Sequence, residues 1–354
     1  MNLSDFDYEL PESFIAQTPA EPRDSSRLML LGKNTGEISH HRFSDILNFI
    51  NSGDVLVLND TRVIPARLHA RKSDTGGAAE LLLLKRLDGT HWRALVGGRG
   101  LRLGRTLALE NNISASIVEE LADAERIIKF SRPIDDLLHQ TGEMPLPPYI
   151  HTRLVDRERY QTVYSKDEGS AAAPTAGLHF TPDLLVALRE KGVSFASCTL
   201  HIGLGTFQPV RAEYIEDHQI HSEWAHLSAA DAKIINDAKL AGRRIIAVGT
   251  TAARTLETAG ILSEGGDPAE PSAPLTACPW RPVVAFKRET NLFIYPGYRW
   301  RVVDAMITNF HLPKSSLLMM ISSFATREII MNAYETAKRE GYRFFSFGDA
   351  MFIA

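Results

Sequence analysis

Apolar and polar positions follow two different patterns along the chain, one within residues 66–130 and another on either side of them. Outside that segment, leucine-rich or β-branched runs such as residues 54–58 and 244–248 alternate with stretches of helical period, which is typical of α/β structure. Apolar runs at residues 292–295 and 342–347 predict two further strands near the end of the chain. This part of the sequence therefore predicts a sheet with packed helices.

Residues 66–130 contain short strand-like runs about every ten residues, separated by turn signals such as Gly97-Gly98 and Asn111-Asn112. That spacing, without a helical period, predicts a small antiparallel barrel or sandwich inserted into the α/β domain. Near the end of the chain, residues 263–282 hold five prolines among Gly, Ser, Ala and acidic residues. We expect a mobile surface loop there.

Composition narrows the class of protein. The chain has 354 residues, 44% of them hydrophobic and 23% charged, which indicates a folded protein of about two domains. Cys198 and Cys278 are the two cysteines, so neither a disulfide framework nor a thiolate zinc site is supported. The sequence opens without a secretory pattern and holds no continuous membrane-length apolar run, so we expect a cytoplasmic protein with no membrane partner.

Net charge excludes a uniformly basic surface but not a local one. Lys and Arg total 39 against 43 Asp and Glu, yet residues 85–105 hold six basic residues and one acidic residue. A second basic stretch, residues 287–301, is interleaved with aromatic side chains. Such stretches suit RNA phosphates and stacked bases, although solvated strand faces would produce the same pattern. The candidate RNA-binding residues are Arg93, Arg99, Arg102, Arg105, Lys287, Arg288, Arg299 and Arg301.

Polar residues follow two of the predicted strands. Asn59-Asp60-Thr61-Arg62 comes directly after residues 54–58, at the position where α/β proteins place ligand contacts. Asp60 could bind ribose hydroxyls or move a proton, and Arg62 could bind a carboxylate or phosphate, although the pair could equally stabilise the turn. Gly249-Thr250-Thr251 joins a strand to a helix, so its N–H groups could bind an anion, or Thr251 could cap the helix.

Histidine is the most informative residue type. His179, His201 and His311 each lie among small or turn-forming residues, and the imidazole can donate or accept protons near neutral pH. Any one of them fits a structural histidine, but three in similar settings favour a site. His218, His221, Glu223 and His226 raise the alternative of a metal site, although their spacing matches no zinc signature.

Longer strings carry a resemblance that covers nearly the whole chain. They occur at residues 7–11, 15–17, 23–24, 58–67, 146–150, 160–164, 173–180, 199–207, 290–298, 308–314 and 344–351. In these strings and their order the sequence resembles the S-adenosylmethionine:tRNA ribosyltransferase-isomerase family of queuosine biosynthesis. The resemblance implies a mixed-sheet α/β main domain, residues 1–66 and 151–354, with an inserted small antiparallel β-barrel domain, residues 67–150.

The resemblance also implies the reaction. The ribosyl part of S-adenosylmethionine is transferred to 7-aminomethyl-7-deazaguanine at the wobble position of the tRNA anticodon loop, and rearrangement gives epoxyqueuosine with release of adenine and methionine. S-adenosylmethionine is then a substrate, and no metal or separate cofactor is implied. We expect a monomer. The alternatives are a metal-dependent hydrolase that uses His218, His221 and Glu223, and a non-catalytic RNA-binding protein.

This chemistry requires a base, an acid and support for positive charge on the sugar. We assign the proton-transfer roles to His179, His201 and Asp60, without an order among them. Among the substrate contacts, Arg62, Lys314 and the Thr250-Thr251 turn are candidates for the methionine carboxylate. The full set of candidate substrate-binding residues is Asn59, Arg62, Thr175, Gly177, Gly203, Gly205, Thr206, Glu223, Thr250, Thr251, Asn291, Tyr295, Asn309, His311, Lys314 and Asp349.

Overall fold

The computed structural model describes residues 1–121, 124–203, 210, 212–271 and 280–354. The chain forms two compact units. The first comprises Met1–Thr61, Pro147–Lys166 and Pro174–Ala354, and the second comprises Arg62–Leu146 and Asp167–Ala173. The second unit thus begins five residues before the expected boundary at residue 67 and includes a short return segment that the sequence did not suggest. Residues 272–279, within the expected loop 263–282, lie outside the described residues.

The helices and strands are numbered in chain order. The strands are β1 (Arg27–Leu31), β2 (Ile38–Arg42), β3 (Val55–Asn59), β4 (Thr61–Val63), β5 (Arg67–Lys72), β6 (Ala78–Arg86), β7 (His91–Gly97), β8 (Thr106–Ala108), β9 (Ser114–Glu120), β10 (Glu125–Phe130), β11 (Asp167–Ser170), β12 (Ser194–Leu200), β13 (Glu223–Leu227), β14 (Ile245–Val248), β15 (Phe286–Thr290), β16 (Ala305–Asn309) and β17 (Ala350–Ile353). The α-helices are α1 (Asp135–Thr141), α2 (Pro182–Glu190), α3 (Ala229–Leu240), α4 (Thr250–Ser263), α5 (Ser316–Phe324) and α6 (Arg327–Arg339).

Nine of the described strands form one mixed sheet in the first unit, in the order β15-β13-β12-β3-β14-β16-β17-β1-β2. Its centre is parallel, because β12, β3, β14 and β16 run in the same direction. On one side β13 and β15 are added in antiparallel pairs. On the other side β17 is antiparallel to β16, β1 is parallel to β17, and the edge strand β2 is antiparallel to β1. A parallel centre brings the carboxyl ends of four strands to one edge of the sheet, where α/β proteins bind ligands.

Side chains along the central strands alternate between two hydrophobic cores, one on each face of the sheet. In β3, Val55 and Val57 face one core, while Leu56 and Leu58 face the other. Helices α3 to α6 cover the first face, and α2 covers the second. Because both faces are buried, β3 is apolar at consecutive positions rather than at alternate ones, which explains the unbroken run in the sequence.

The second unit contains a closed barrel of six antiparallel strands, in the order β10-β7-β6-β5-β8-β9. Its strands alternate, so that Leu81, Leu83 and Ala94 are buried inside while their neighbours are more exposed. Helix α1 adds Leu137 and Leu138 to the barrel core. Each of the six barrel strands is paired on both sides, and β4 and β11 form a separate two-stranded sheet. The predicted fold class, a mixed α/β domain with an inserted antiparallel β-barrel, is confirmed.

Two predicted strands near the end of the chain are wrong. Residues 292–295 are apolar because Leu292 and Ile294 pack into the core, but the strand lies earlier, at β15. Residues 342–347 are irregular apart from an isolated bridge between Phe344 and Ile15, and Phe345 has φ +68°, so the last strand is β17. A buried segment of irregular backbone has the same apolar pattern as a strand, so the pattern predicted strands at both places. In the described part of the chain, no helix has the length and apolar character needed to cross a membrane.

Candidate active site

Several of the candidate catalytic and substrate-binding side chains lie together at the edge of the sheet where the parallel strands end. Asn59 is the last residue of β3, Asn309 is the last of β16, and Thr250 opens α4 just after β14. His201 follows the last residue of β12. The sequence placed these residues up to 250 positions apart, and the parallel register of β12, β3, β14 and β16 brings them to one edge.

The three residues 59–61 are each bonded to one of the three residues 199–201 along this edge. The Asn59 amide accepts from the N–H of Leu200 at 3.0 Å, and it donates to the Leu200 carbonyl at 3.1 Å. The Thr199 hydroxyl donates to the Asp60 carboxylate at 2.7 Å. The Thr61 hydroxyl lies 2.8 Å from Nδ1 of His201. Asp60 and His201 are thus each held by a threonine hydroxyl from the other segment.

His201 is also held by an aromatic neighbour. Its ring stacks on Trp224 of β13, with centroids 4.9 Å apart and planes inclined by 15°. The His201 N–H donates to the Trp224 carbonyl at 3.0 Å. Trp224 is half-buried, and Nζ of Lys287 lies 5.7 Å from the centre of its ring. A histidine fixed on two sides in this way can exchange a proton without reorienting.

His179 has a different environment, because it is buried and bonded at both ring nitrogens. Nδ1 lies 2.8 Å from the Ser26 hydroxyl, Nε2 lies 3.2 Å from the Asn309 amide, and Phe43 stacks on the ring. Burial lowers the pKa of His179 to about 4. The imidazole is therefore neutral at pH 7. The Thr175 hydroxyl donates to Asn309 at 3.1 Å, so that His179 and Thr175 together orient the Asn309 amide.

Close packing explains why another candidate position, 177, holds a glycine. A Cβ at this position would lie 2.0 Å from the Tyr164 hydroxyl and 2.8 Å from Cγ2 of Thr162. The side chain of Tyr164 is buried, and its hydroxyl has no hydrogen-bond partner among the described residues. Glycine at 177 thus gives Tyr164 the space it occupies.

Three further candidates form hydrogen bonds or ion pairs with other residues of the protein. His311 is half-buried, desolvation of its ring lowers its pKa to about 3, and Nε2 lies 2.7 Å from the Thr308 hydroxyl. Lys314 forms an ion pair with Asp7 at 2.6 Å. The Asp349 carboxylate accepts from the N–H groups of Arg27 and Arg343, at 3.0 and 2.8 Å, and binds the Arg343 guanidinium. These contacts join the chain termini to the sheet.

A cleft lies beside the start of α4, and we call it the α4 cleft. Its lining includes Thr250, Thr251, Arg254, Glu223 and Phe293. The Glu223 carboxylate accepts from the Gly203 N–H at 2.8 Å and forms a buried ion pair with Arg254. The cleft is further lined by His218, Ile220, His221, Ile294, Ser316, Leu317 and Met320.

The remaining candidates lie in other settings. Asn291 and Tyr295 line a wider neighbouring cleft, together with Arg299 and Arg301. Arg62 belongs to the second unit, where it is half-buried on β4. Gly205 and Thr206 lie outside the described residues. Among the His, Cys, Asp and Glu side chains that the structure describes, no group of three or more is arranged to hold a metal ion.

Comparison with known proteins identifies the family. A family model described as queuosine biosynthesis protein matches residues 3–353. The S-adenosylmethionine:tRNA ribosyltransferase-isomerase of Staphylococcus haemolyticus (strain JCSC1435) is 49% identical over 357 residues, which cover 100% of both chains. The chain belongs to this queuosine biosynthesis family. The crystal structure of S-adenosylmethionine tRNA ribosyltransferase from Thermotoga maritima aligns with a TM-score of 0.56 and 38% identity, covering 99% of this chain and 100% of that one.

Membership of the queuosine biosynthesis family confirms the predicted class of enzyme, a transferase and isomerase that acts in tRNA modification. The non-catalytic RNA-binding alternative is therefore wrong. The hydrolase alternative also loses support, because its proposed ligand Glu223 forms a buried ion pair with Arg254.

Much of the charge in the basic stretches is neutralised within the fold. In residues 85–105, Arg86 pairs with Asp135, Arg93 with Glu125 and Arg105 with Asp74, and all three acids come from outside the stretch. In residues 287–301, Arg301 pairs with Glu264 at 3.0 Å. Arg99, Arg102, Arg288 and Arg299 form no ion pair with any residue that the structure describes.

Sequence reasoning missed four residues of this queuosine-family site: Thr61, Thr199, Trp224 and Arg254. Thr61 and Thr199 lie within the strings that carry the resemblance, but nothing in a threonine signals that it orients a neighbour across two strands. Arg254 gave a clearer signal, since it and Glu257 are the two charged residues of a helix whose other residues are apolar, small or hydroxyl-bearing. A buried arginine needs a partner or a ligand, which makes such a position a candidate for a site.

Proposed function

We propose that the chain transfers the ribosyl moiety of S-adenosylmethionine to 7-aminomethyl-7-deazaguanine at the wobble position of tRNA and isomerises it to epoxyqueuosine. Adenine and methionine are released, and no separate cofactor takes part. The observation that carries the proposal is the pairing of Asp60 with Thr199 and of His201 with Thr61 at the carboxyl ends of β3 and β12. It presents a carboxylate and an imidazole, the two kinds of group that the proton transfers need.

The reaction assigns distinct tasks to these groups. A proton must leave the carbon beside the sulfonium, and adenine must receive one as it departs. In the proposal His201 and Asp60 carry out these transfers, each oriented by a threonine hydroxyl. His179 serves as a positioning residue instead, because both its ring nitrogens are bonded and the neutral ring fixes the Asn309 amide.

The tRNA substrate presents its wobble base in a single-stranded loop, so exposing that base requires little unpairing. Trp224 offers an aromatic surface next to His201, with Lys287 above its ring. Stacking on such a surface is the usual way proteins hold an unpaired base. Arg99 and Arg102 on the barrel unit are the proposed contacts to tRNA phosphates.

Incubating the protein with S-adenosylmethionine and tRNA that carries 7-aminomethyl-7-deazaguanine tests the proposal. We expect adenine, methionine and epoxyqueuosine in equal amounts, measured by liquid chromatography and mass spectrometry. The matched control is the same tRNA with guanine at the wobble position, which should release no adenine. Absence of the new nucleoside from the precursor tRNA would contradict the proposed reaction.

A further inference from the structure

The N-terminus of α4 opens onto the α4 cleft without a side-chain cap. The helix runs for 14 residues from Thr250, and Gly249 precedes it with φ +91°. No side chain among the described residues accepts a hydrogen bond at the cap position. A helix of this length carries a partial positive charge at its start, where the first N–H groups have no partner within the helix. Thr250 and Thr251, the first two residues, both line the cleft.

A buried cation lies one turn further along the same helix. Arg254 is 6% exposed, and its guanidinium donates to the Glu223 carboxylate and to the carbonyls of His221 and Thr290 at 3.0 and 3.1 Å. Its Nε–H has no hydrogen-bond partner among the described residues. Buried donors are nearly always paired in folded proteins, so an unpaired guanidinium N–H in the wall of a cleft points to an absent acceptor.

The rest of the cleft has the character of an amino-acid site. Glu223 adds one carboxylate, which faces the cationic donors. Phe293, Leu317 and Met320 form an apolar wall. Donors for an anion, one acidic group and an apolar wall together match a zwitterionic head group attached to a short apolar chain.

We propose that the α4 cleft binds the amino-acid end of S-adenosylmethionine, with the α-carboxylate at the N-terminus of α4 beside Arg254 and the α-ammonium toward Glu223. This inference rests on the proposed function and assigns one part of its substrate to one part of the site. Lys314 was another candidate for the carboxylate, but its ammonium is paired with Asp7.

Calorimetric titration with S-adenosylmethionine and with its decarboxylated analogue tests the inference without tRNA. Charge-assisted hydrogen bonds to the carboxylate should make the parent compound bind about 10- to 100-fold more tightly than the analogue. Equal affinities would overturn the inference and leave the proposed function standing. Absence of any binding by S-adenosylmethionine to the protein alone would also overturn the inference, whereas the proposed function stands or falls on adenine release with precursor tRNA.

Substitution of the buried cation gives the second arm of the test. Arg254→Gln should bring the two affinities within about threefold of each other, while Arg339→Gln on α6, whose side chain is 70% exposed, should preserve the difference. If both compounds lose affinity equally in Arg254→Gln, Arg254 only maintains the cleft and the inference fails. Should that variant not fold, the neutral pair Glu223→Gln/Arg254→Gln removes the unpaired buried carboxylate, and the same loss of discrimination is expected.

Discussion

Two threonine hydroxyls orient the groups that we place in proton transfer, Thr199 for Asp60 and Thr61 for His201. Thr61→Val keeps the shape of the side chain but removes the hydroxyl from Nδ1 of His201. We expect turnover to fall about 5-fold, since one hydrogen bond is worth about 1 kcal/mol. Thr61→Ser keeps the hydroxyl and is the matched control, with turnover near wild type. Equal turnover in the valine and serine variants, measured by adenine release, would refute the orienting role.

At the same scale, Gly177 and Tyr164 form a packing pair. Gly177→Ala should destabilise the protein by about 2 kcal/mol, because its Cβ would lie 2.0 Å from the Tyr164 hydroxyl. Tyr164→Phe removes a buried hydroxyl that has no partner among the described residues, so it should be neutral or stabilising. The double variant should recover part of the loss on urea unfolding. Strictly additive effects would show that the two residues are not coupled.

Two histidines with lowered pKa values, the buried His179 and the half-buried His311, make stability depend on pH. Burial lowers the pKa of His179 to about 4 and that of His311 to about 3, whereas the unfolded values are near 6.5. As the pH falls below 6.5 the unfolded chain binds protons first, so stability is lost between pH 6.5 and about 3 and is unaffected above 6.5. For His179 alone the loss is about 3 kcal/mol by pH 4.

Urea unfolding at pH 7, 5.5 and 4.5 measures this dependence. His311→Gln should be less stable than wild type at pH 7 but lose less stability on acidification, because the glutamine does not titrate. His151→Gln, in which the replaced side chain is 67% exposed, is the control and should keep the wild-type slope. An unchanged slope in His311→Gln would rule out His311 as a source of the acid sensitivity.

At the scale of the elements, α4 holds the segment before β16 through one carboxylate. Glu257 is fully buried, and it accepts from the Tyr298 hydroxyl and from the N–H groups of Arg301, Val302 and Val303, at 2.9 to 3.0 Å. Burial raises the pKa of Glu257, and the four donors oppose that rise. The carboxylate thus replaces the backbone partners that this irregular segment lacks.

Glu257→Gln should destabilise the protein by roughly 2–4 kcal/mol, because the amide NH₂ cannot accept from N–H donors. Urea unfolding gives the measurement. Glu335→Gln on α6, whose side chain is 58% exposed, is the control and should change stability by less than about 1 kcal/mol. A Glu257→Gln protein as stable as that control would show that the Glu257 carboxylate does not hold the segment before β16.

Elements that satisfy a local pattern could be predicted from the sequence, and elements that depend on partners could not. The apolar runs at residues 54–58 and 244–248 were predicted as strands, and β3 and β14 form there. Strands β13 and β15 were missed, because Glu223, His226, Lys287 and Arg288 were interpreted as candidate site residues rather than as parts of strands. Their strand character comes from pairing with β12 and with each other.

At the scale of the whole molecule, charge distribution matters more than the formal charge of −4. Residues 85–105 carry a formal excess of five positive charges, but Arg86, Arg93 and Arg105 pair with acids that only the fold brings near. The sequence therefore overstated the basic face. Pairing of this kind depends on barrel register, which no local pattern reveals.

Arg99 and Arg102 are the two residues of that stretch that we propose as phosphate contacts. Neutralising both to Ala should weaken tRNA binding and reduce the slope of log affinity against log salt by about 2. Lys233→Ala, an exposed lysine of α3, is the control and should leave the slope unchanged. An unchanged slope in the double variant, measured by filter binding from 50 to 200 mM salt, would exclude this face from the tRNA interface.

The candidate site was also predictable only in part. Asn59 and Asp60 could be selected because polar residues after buried strands indicate ligand contacts, and His201 because it is one of three histidines that lie among small or turn-forming residues. The proposed separation of tasks between His201 and His179 could not, since it depends on burial and on the partners of each ring. Glycine-flanked histidines look alike in the sequence.

The central claim is that His201, at the junction of β3 and β12, takes part in the transfer chemistry rather than in tRNA binding. The direct measurement is adenine release by His201→Ala with precursor tRNA, alongside tRNA affinity, with His151→Ala as the control. We predict that release falls at least about 100-fold while tRNA affinity stays within about threefold of wild type. Release near the wild-type rate in His201→Ala would contradict the account.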